Sequence, residues 1–275
     1  MKYELHCHTY HSRGQKITWE APMKPEEIFS ILKKKGFSGV ALTDHDTIKC
    51  WPEARKAARK HGMLFIPGVE VTSSSGHMLA LGINEHVKSG MSVDETVDAV
   101  HSQGGIVVAP HPFDLRSEGI GEEFRKCDAG EVFNSLNLSR FENMISRRHV
   151  EKAGIPAVGG SDAHFPLMLG RTVNHINAET MDGVFSEIMK NRVRIDGSYT
   201  PIPVVVDWAR ERMRLSYEDI VKYVDRTYSP AKAKFAKFML RKFVNSDSFA
   251  WDALGYFSIG TSVVYSAFVN ASRKF

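Results

Sequence analysis

The feature that most constrains this 275-residue chain is a rhythm of short, continuously apolar runs separated by stretches of helical periodicity. Residues 3–6 form the first run. Gly39–Leu42, Leu64–Glu70, Gly76–Gly82, Ile106–Ala109, Ala129–Asn134, Pro156–Gly160, Val173–Ile176 and Val193–Ile195 follow. Between them, helical patterns run from Pro25 to Gly36 and over residues 50–61, 93–102, 138–153 and 180–190. The first of these helices opens with Pro25, Glu26 and Glu27, which suit an N-terminal turn, and Gly36 stops it. Strands apolar at every position are buried on both faces, which predicts a parallel sheet wrapped in helices. About six or seven such units, with no Gly-rich nucleotide fingerprint after the first, favour a closed α/β barrel over a doubly wound sheet.

The rhythm changes near residue 200. Pro201 and Pro203 interrupt it, and helix-like segments then run over 208–227, 231–244 and 250–271. Two parts are expected: a barrel over residues 1–199 and a mainly helical, basic extension over 200–275 packed on it. Residues 1–199 carry 24 Lys and Arg against 25 Asp and Glu, whereas 200–275 carry 12 against 7, so the formal net charge of +4 belongs to the extension. Hydrophobic residues at 43% and charged residues at 25% are ordinary for a water-soluble globular chain. Three cysteines (Cys7, Cys50 and Cys127), without paired spacing, argue against disulfide frameworks and zinc ribbons and suit a reducing, cytoplasmic setting. Met1-Lys2-Tyr3-Glu4 begins no apolar run of signal-peptide length, so secretion is not expected. The apolar stretch from Gly255 to Ala271 is broken by Ser258, Thr261, Ser262, Ser266 and Asn270, so no membrane span or membrane partner is expected.

Chemistry collects at the ends of the runs. His6 and His8 follow the first and, at i and i+2, project to one side of an extended chain. His45 follows the second run, Glu70 ends the third, and His111, Glu131, Asp162 and His164 end later ones; His77 stands instead at the start of its run. In a barrel, C-terminal strand ends form one rim, so residues distant in sequence converge there. Imidazole and carboxylate donors without thiolates suit zinc, manganese or iron. The donors exceed what one tetrahedral ion needs, which implies at least two divalent ions bridged by a carboxylate. His61, His86, His101, His149 and His175 lie in helices or connections and read as surface or satisfied rings.

The ordered set His6-x-His8, Thr43-Asp44-His45-Asp46, Gly68-Val69-Glu70, His111-Pro112 and Ser161-Asp162-Ala163-His164 resembles the PHP (polymerase and histidinol phosphatase) family over about residues 1–197. The resemblance implies a distorted (β/α)7 barrel with two or three divalent metal ions. His6, His8, Glu70 and Asp162 would hold one ion, and Glu70 would bridge to a second held by His77 and His111. A third would use His45 and His164 with one more ligand from the first loop. His6, His8, Asp162 and His164 would form the catalytic core. The sequence departs from the family at that last ligand: Arg13 and Gly14 stand where an Asp or His is usual, with His11 nearby. Arg13 is then a candidate fixed positive charge. Arg116 and Arg171 join it as candidate phosphate-binding groups, since guanidinium forks suit phosphate oxygens. Glu131, Asp44 and Asp46 are expected to orient ligating rings, and Cys7, pointing the other way, to be buried and inert.

Lys232, Lys234, Lys237 and Arg241 interleave with Phe235, Phe238, Met239 and Leu240 in one acid-free stretch. As a helix this has an apolar stripe against the barrel and a cationic stripe suited to a nucleic-acid backbone. The expected function is metal-dependent hydrolysis of a phosphate monoester, a nucleotide or short oligonucleotide being favoured. A hydroxide bridging the metal ions is the expected nucleophile, with no need of serine or cysteine. A histidinol phosphatase and a non-catalytic metal-bearing nucleic-acid-binding module are the rival expectations.

Overall fold

A computed structural model describes residues 1–14, 17–114, 118–137 and 139–272. The expected rhythm is present: β1 (Lys2–Glu4), α1 (Pro25–Lys34), β2 (Gly39–Leu42), α2 (Trp51–His61), β3 (Leu64–Thr72), β4 (His77–Leu81), α3 (Val93–His101) and β5 (Ile106–Ala109). β6 (Ala129–Asn134), α4 (Arg140–Ala153), β7 (Ala157–Gly160), β8 (Thr172–His175), α5 (Met181–Met189) and β9 (Arg194–Gly197) complete the barrel-like sheet. The strands lie in the order β7-β6-β5-β4-β3-β2-β1-β8-β9.

The sheet is mixed, which corrects the expectation of parallel strands throughout. β4 runs antiparallel to both β3 and β5, and β8 runs antiparallel to β1 and β9. The reason is local. Only Ser73–Gly76 separates β3 from β4, and a parallel return needs a crossover of a dozen or more residues. The Ser73 hydroxyl accepts the amides of Ser75 and Gly76 and clinches the hairpin. Reversal of β4 brings its first residue, His77, to the end of the barrel where β3 presents Glu70.

The barrel closes between β1 and β7 through the residues just beyond them. Cys7 pairs in parallel with Ala163, and the His8 amide donates to the Ala163 carbonyl at 2.9 Å. Below this seam the buried Asn174 amide side chain accepts from Gly159 N and donates to Gly159 O and Tyr3 O. Glu4, fully buried, accepts hydrogen bonds from the Ser161 hydroxyl at 2.5 Å and from the amides of His6, Ser161 and Gly170. Burial nevertheless pushes its carboxyl up to about 7.

Two apolar layers hold the sheet. The inner one takes buried residues from each of β1 to β7, among them Tyr3, Ala41, Ile66, Leu79, Val108, Ala129 and Val158, and Val184, Phe185 and Ile188 of α5 pack against it. The outer one lies between strands and helices and includes Cys7, Phe29, Leu32, Val69, Val107 and Val150. Cys7 is buried there, and burial holds its thiol well above the ordinary value.

After residue 200 the chain is helical: α6 (Ile202–Leu215), α7 (Tyr217–Thr227), α8 (Pro230–Val244) and α9 (Phe249–Ser272). Pro203 starts α6 instead of interrupting it, because proline's fixed φ and missing N–H suit a first turn. The single segment expected over 208–227 is two helices, divided at Ser216. α6 and α7 meet the first loop: Trp208 Nε1 donates to Glu20 O, Trp19 N to Ser216 Oγ, and Thr18 Oγ1 to Asp219 Oδ2. No helix among the described residues is long and apolar enough to cross a membrane.

Candidate metal centre

The seam that closes the barrel also builds the site. Cys7 and Ala163 face the outer apolar layer, so the residues flanking each of them face inward: His6 and His8 on one chain, Asp162 and His164 on the other. His45 pairs in parallel with Glu70 in the same way. Across the β3–β4 hairpin, Glu70 opposes Leu79 and Thr72 opposes His77, so Glu70 and His77 are diagonal neighbours on one face. His111, just beyond β5, adds the remaining ring.

These side chains converge on Glu70. Its Oε2 lies 3.3 Å from His6 Nε2, His8 Nε2 and His45 Nδ1; its Oε1 lies 3.1 Å from His77 Nδ1 and 3.3 Å from His111 Nε2. Asp162 Oδ1 is 3.5 Å from His6 Nε2 and 3.3 Å from His8 Nε2. His6 and His8 turn their Nε2 atoms toward each other at 3.2 Å. Four overlapping trios have their donor atoms within 4.8 Å of one another: His8–His45–His164, His6–His8–Glu70, His6–His111–Asp162 and His45–Glu70–His77. His77 Nδ1 lies against Glu70 without forming a hydrogen bond, an arrangement expected of two donors that share a cation. The set is oxygen and imidazole nitrogen only, a donor set that fits divalent zinc, manganese or iron.

Charge balance supports that fit. Burial disfavours the Glu70 carboxylate, yet the rings of His45, His77 and His6 and a hydrogen bond from His111 hold it well below the usual carboxylate range. Asp162, equally opposed by burial, is held low by His6, His8 and His164. On the imidazoles, burial favours the neutral form, but Asp162, Glu131 and Glu70 raise His6 well above its ordinary value, and Asp162 and Glu70 raise His8 to about 9. Burial lowers His45 to about 3, helped by the charges of His8 and His77, and lowers His164 as well. Protons on His6 and His8 thus supply positive charge that buried carboxylates require, and metal ions would supply it in their place.

Other residues fix ring orientation. Glu131 Oε1 lies 2.9 Å from His6 Nδ1, and its Oε2 accepts from His111 N and Asn134 Nδ2. Gly160 admits that carboxylate, since a Cβ there would stand 1.9 Å from Glu131 Oε1. Ser12 Oγ lies 3.0 Å from His8 Nδ1 and accepts from His45 N. Asp46, His111 and Asp162 have φ of 50°, 29° and 50°, a region that non-glycine residues visit at a cost and that clusters at functional sites.

Several expectations are corrected. Asp44 orients no histidine: its oxygens take Thr9 N and Thr9 Oγ1, both at 2.6 Å, which pins the turn after His8. Asp46 accepts from Thr72 N. Asp44 thus accepts from a backbone amide and a hydroxyl of Thr9, and Asp46 Oδ1 from a backbone amide. Arg13 is exposed and lies flat on Trp19, Cζ 3.4 Å from the ring centroid. Arg171 donates to Leu167 O beside Lys35, and no contact among the described residues ties it to the cluster. Arg116 lies outside the described residues. His11 turns toward Glu53, 3.9 Å away, and its ring lies tilted against that of Tyr10. The remaining rings sit near the surface: His61, His101, His149 and His175 pair with Glu26, Asp128, Glu122 and Asp196, and His86 meets a carbonyl.

Sequence reasoning missed Ser12, Asn134, Glu20, Trp208 and Arg212. Trp208 brings its ring to 5.1 Å from that of His164, and Arg212 reaches Glu20 Oε1 at 3.4 Å. Only Ser12, four residues after His8, carried a local signal. In the extension, Lys237 pairs with Asp225 at 2.6 Å, while Lys232, Lys234 and Arg241 are exposed. The apolar stripe of α8 is only partly covered: Phe235 and Phe238 are 66% and 55% exposed.

A rim of buried imidazoles and carboxylates around one shared glutamate defines a protein built to hold metal. The comparisons name the family. A PHP domain model matches residues 4–103, and a PHP-associated model matches residues 140–193. An uncharacterized protein of Methanocaldococcus jannaschii is 33% identical over 55% of this chain and 92% of its own length. A second from that organism is 31% identical over 71% of this chain and 80% of its own. A two-domain protein of Bacteroides vulgatus, described as containing a PHP-like metal-dependent phosphoesterase, superposes with a TM-score of 0.60 at 16% identity. That match covers 72% of this chain and 65% of the other. The chain belongs to the PHP family.

Proposed function

We propose that this chain is a metal-dependent phosphoesterase, and that a nucleotide or short oligonucleotide carries the phosphate monoester it hydrolyses. The observation that carries the reading is the double use of Glu70, whose two oxygens face separate sets of rings: His6, His8 and His45 on one side, His77 and His111 on the other. His6, His8, Glu70 and Asp162 would hold one ion, and Glu70, His77 and His111 another. Bound divalent ions would acidify a water and neutralise phosphoryl oxygens.

The chain's own residues do the rest. Glu131 and Ser12 lock the rings of His6 and His8 so that both Nε2 atoms point into the site. Burial keeps the His45 and His164 rings neutral, with lone pairs available to a ligand. Arg212 brings a guanidinium to the rim, and Trp208 offers an aromatic wall beside His164. Such a wall suits a nucleobase. Exposed Phe235 and Phe238 among Lys232, Lys234 and Arg241 support a polyanionic chain over a small cationic substrate.

The test is hydrolysis by the manganese- or zinc-loaded protein of a panel of phosphomonoesters, nucleotides and short oligonucleotides. Release of inorganic phosphate that Glu70→Gln lowers sharply is expected. Inertness of the loaded protein across the whole panel would contradict the reading.

A further inference from the structure

The first loop lacks an acidic or imidazole side chain at Arg13 and Gly14, yet a carboxylate occupies the space there. Glu20 folds back over Gly14: a Cβ on Gly14 would stand 2.7 Å from Glu20 Oε1 and 3.1 Å from Glu20 Cδ. The two oxygens of Glu20 have different surroundings. Oε1 lies 3.4 Å from Arg212 NH2. Oε2 is buried without a hydrogen-bond partner and points at His45 Nε2, 3.4 Å away. His45 uses its other nitrogen, Nδ1, toward Glu70, so its Nε2 is the atom left for a ligand beyond the Glu70 centre. A buried carboxylate oxygen with no donor costs free energy unless a cation or proton meets it.

We propose that Glu20 is the first-loop ligand of a further divalent cation, held together with His45 and His164. This rests on the metal-centre reading above. The hydrogen-bond and charge pattern explains why a residue so far along the loop serves. Arg212 takes Oε1 and Trp19 O, and Trp208 Nε1 takes Glu20 O, so α6 fixes both ends of the residue and leaves Oε2 facing the rings. Arg13, stacked on Trp19, is thereby turned outward.

Counting bound manganese on the full-length protein tests this without reference to activity. Metal-stripped wild type, Glu20→Gln, Glu20→Asp and Glu70→Gln are equilibrated with Mn2+, and bound ion per chain is read by elemental analysis and electron paramagnetic resonance. Glu20→Gln is expected to bind one equivalent fewer than wild type, with the affinity of the remaining ions unchanged. Glu20→Asp, which keeps a carboxylate on the same backbone, is expected to bind that equivalent, which guards against a folding defect as the cause. Equal stoichiometry and affinity in wild type and Glu20→Gln would overturn the inference. If Glu70→Gln loses ions while Glu20→Gln loses none, the inference falls and the metal centre stands; a wild type that binds no manganese removes both.

Discussion

The rim of the barrel and the helical extension solve opposite problems. At the rim, charged side chains are buried and each is answered by a specific neighbour: Glu131 by His6, His111 and Asn134, Asp162 by His6 and His8. In the extension, apolar side chains remain exposed, among them Phe235, Phe238, Phe249 and Phe257, and a cavity of about 610 Å³ opens among residues such as Val206, Met213, Leu240, Phe243 and Trp251. Position decides the first region, since a group displaced by one residue on a strand faces the wrong layer. General amphipathicity is enough for the second. The two meet where α6 touches the first loop, through Trp208, Arg212 and Ser216. Among the described residues, the extension therefore bears on the site through a few contacts at one edge.

That contrast can be broken most forcefully at Glu70. Glu70→Gln keeps the shape of the side chain and removes the shared charge, and phosphatase turnover should fall on the order of 10³-fold, with loss of bound metal by elemental analysis. A milder disturbance is Glu131→Gln, which leaves the proposed ligands in place but loosens His6. Metal affinity should drop roughly 10–100-fold by equilibrium dialysis. In the extension, Leu240→Ala should lower the free energy of unfolding by about 2 kcal/mol in a urea titration, with metal content unchanged. Phe238→Ala, on the exposed face, should alter stability by no more than about 0.5 kcal/mol. If Leu240→Ala strips metal as well, the two regions are coupled more tightly than the contacts at α6 imply.

Proton linkage separates the regions too, because the site holds the perturbed rings. Burial opposes the charged form of His8, but Asp162 and Glu70 raise it from 6.5 to about 9. The metal-free fold therefore gains stability from this proton below pH 6.5 and loses it as pH climbs toward 9. Burial lowers His45 to about 3. Its contribution is full above 6.5 and is lost as pH falls toward 3. Thermal melts of the metal-free chain should thus peak near pH 6.5 with respect to these two groups. Bound metal should flatten the alkaline side, because the ion replaces the His8 proton.

Much of this was legible in the sequence, for a definite physical reason. His6, His8, His45, His111, Asp162 and His164 follow apolar runs directly, and a barrel turns strand ends into one rim. His77 stood at the wrong end of its run, and only the short Ser73–Gly76 turn, too brief for a crossover, explains its place. Asp44 and Asp46 looked like partners for His45 because they adjoin it, but Asp44 accepts from Thr9 and Asp46 from Thr72 N, contacts that join residues distant in sequence. Glu20 and Arg212 could not be read at all. Their pairing joins residues 192 apart through a helix packed on a loop, and nothing periodic marks it.

The most direct test of the central claim is anomalous diffraction from crystals of the full-length protein grown with Mn2+. Anomalous peaks are expected between the two oxygens of Glu70 and the surrounding rings of His6, His8, His77 and His111. Well-ordered crystals in which those side chains hold their places and no peak lies within ligating distance of Glu70 would contradict it.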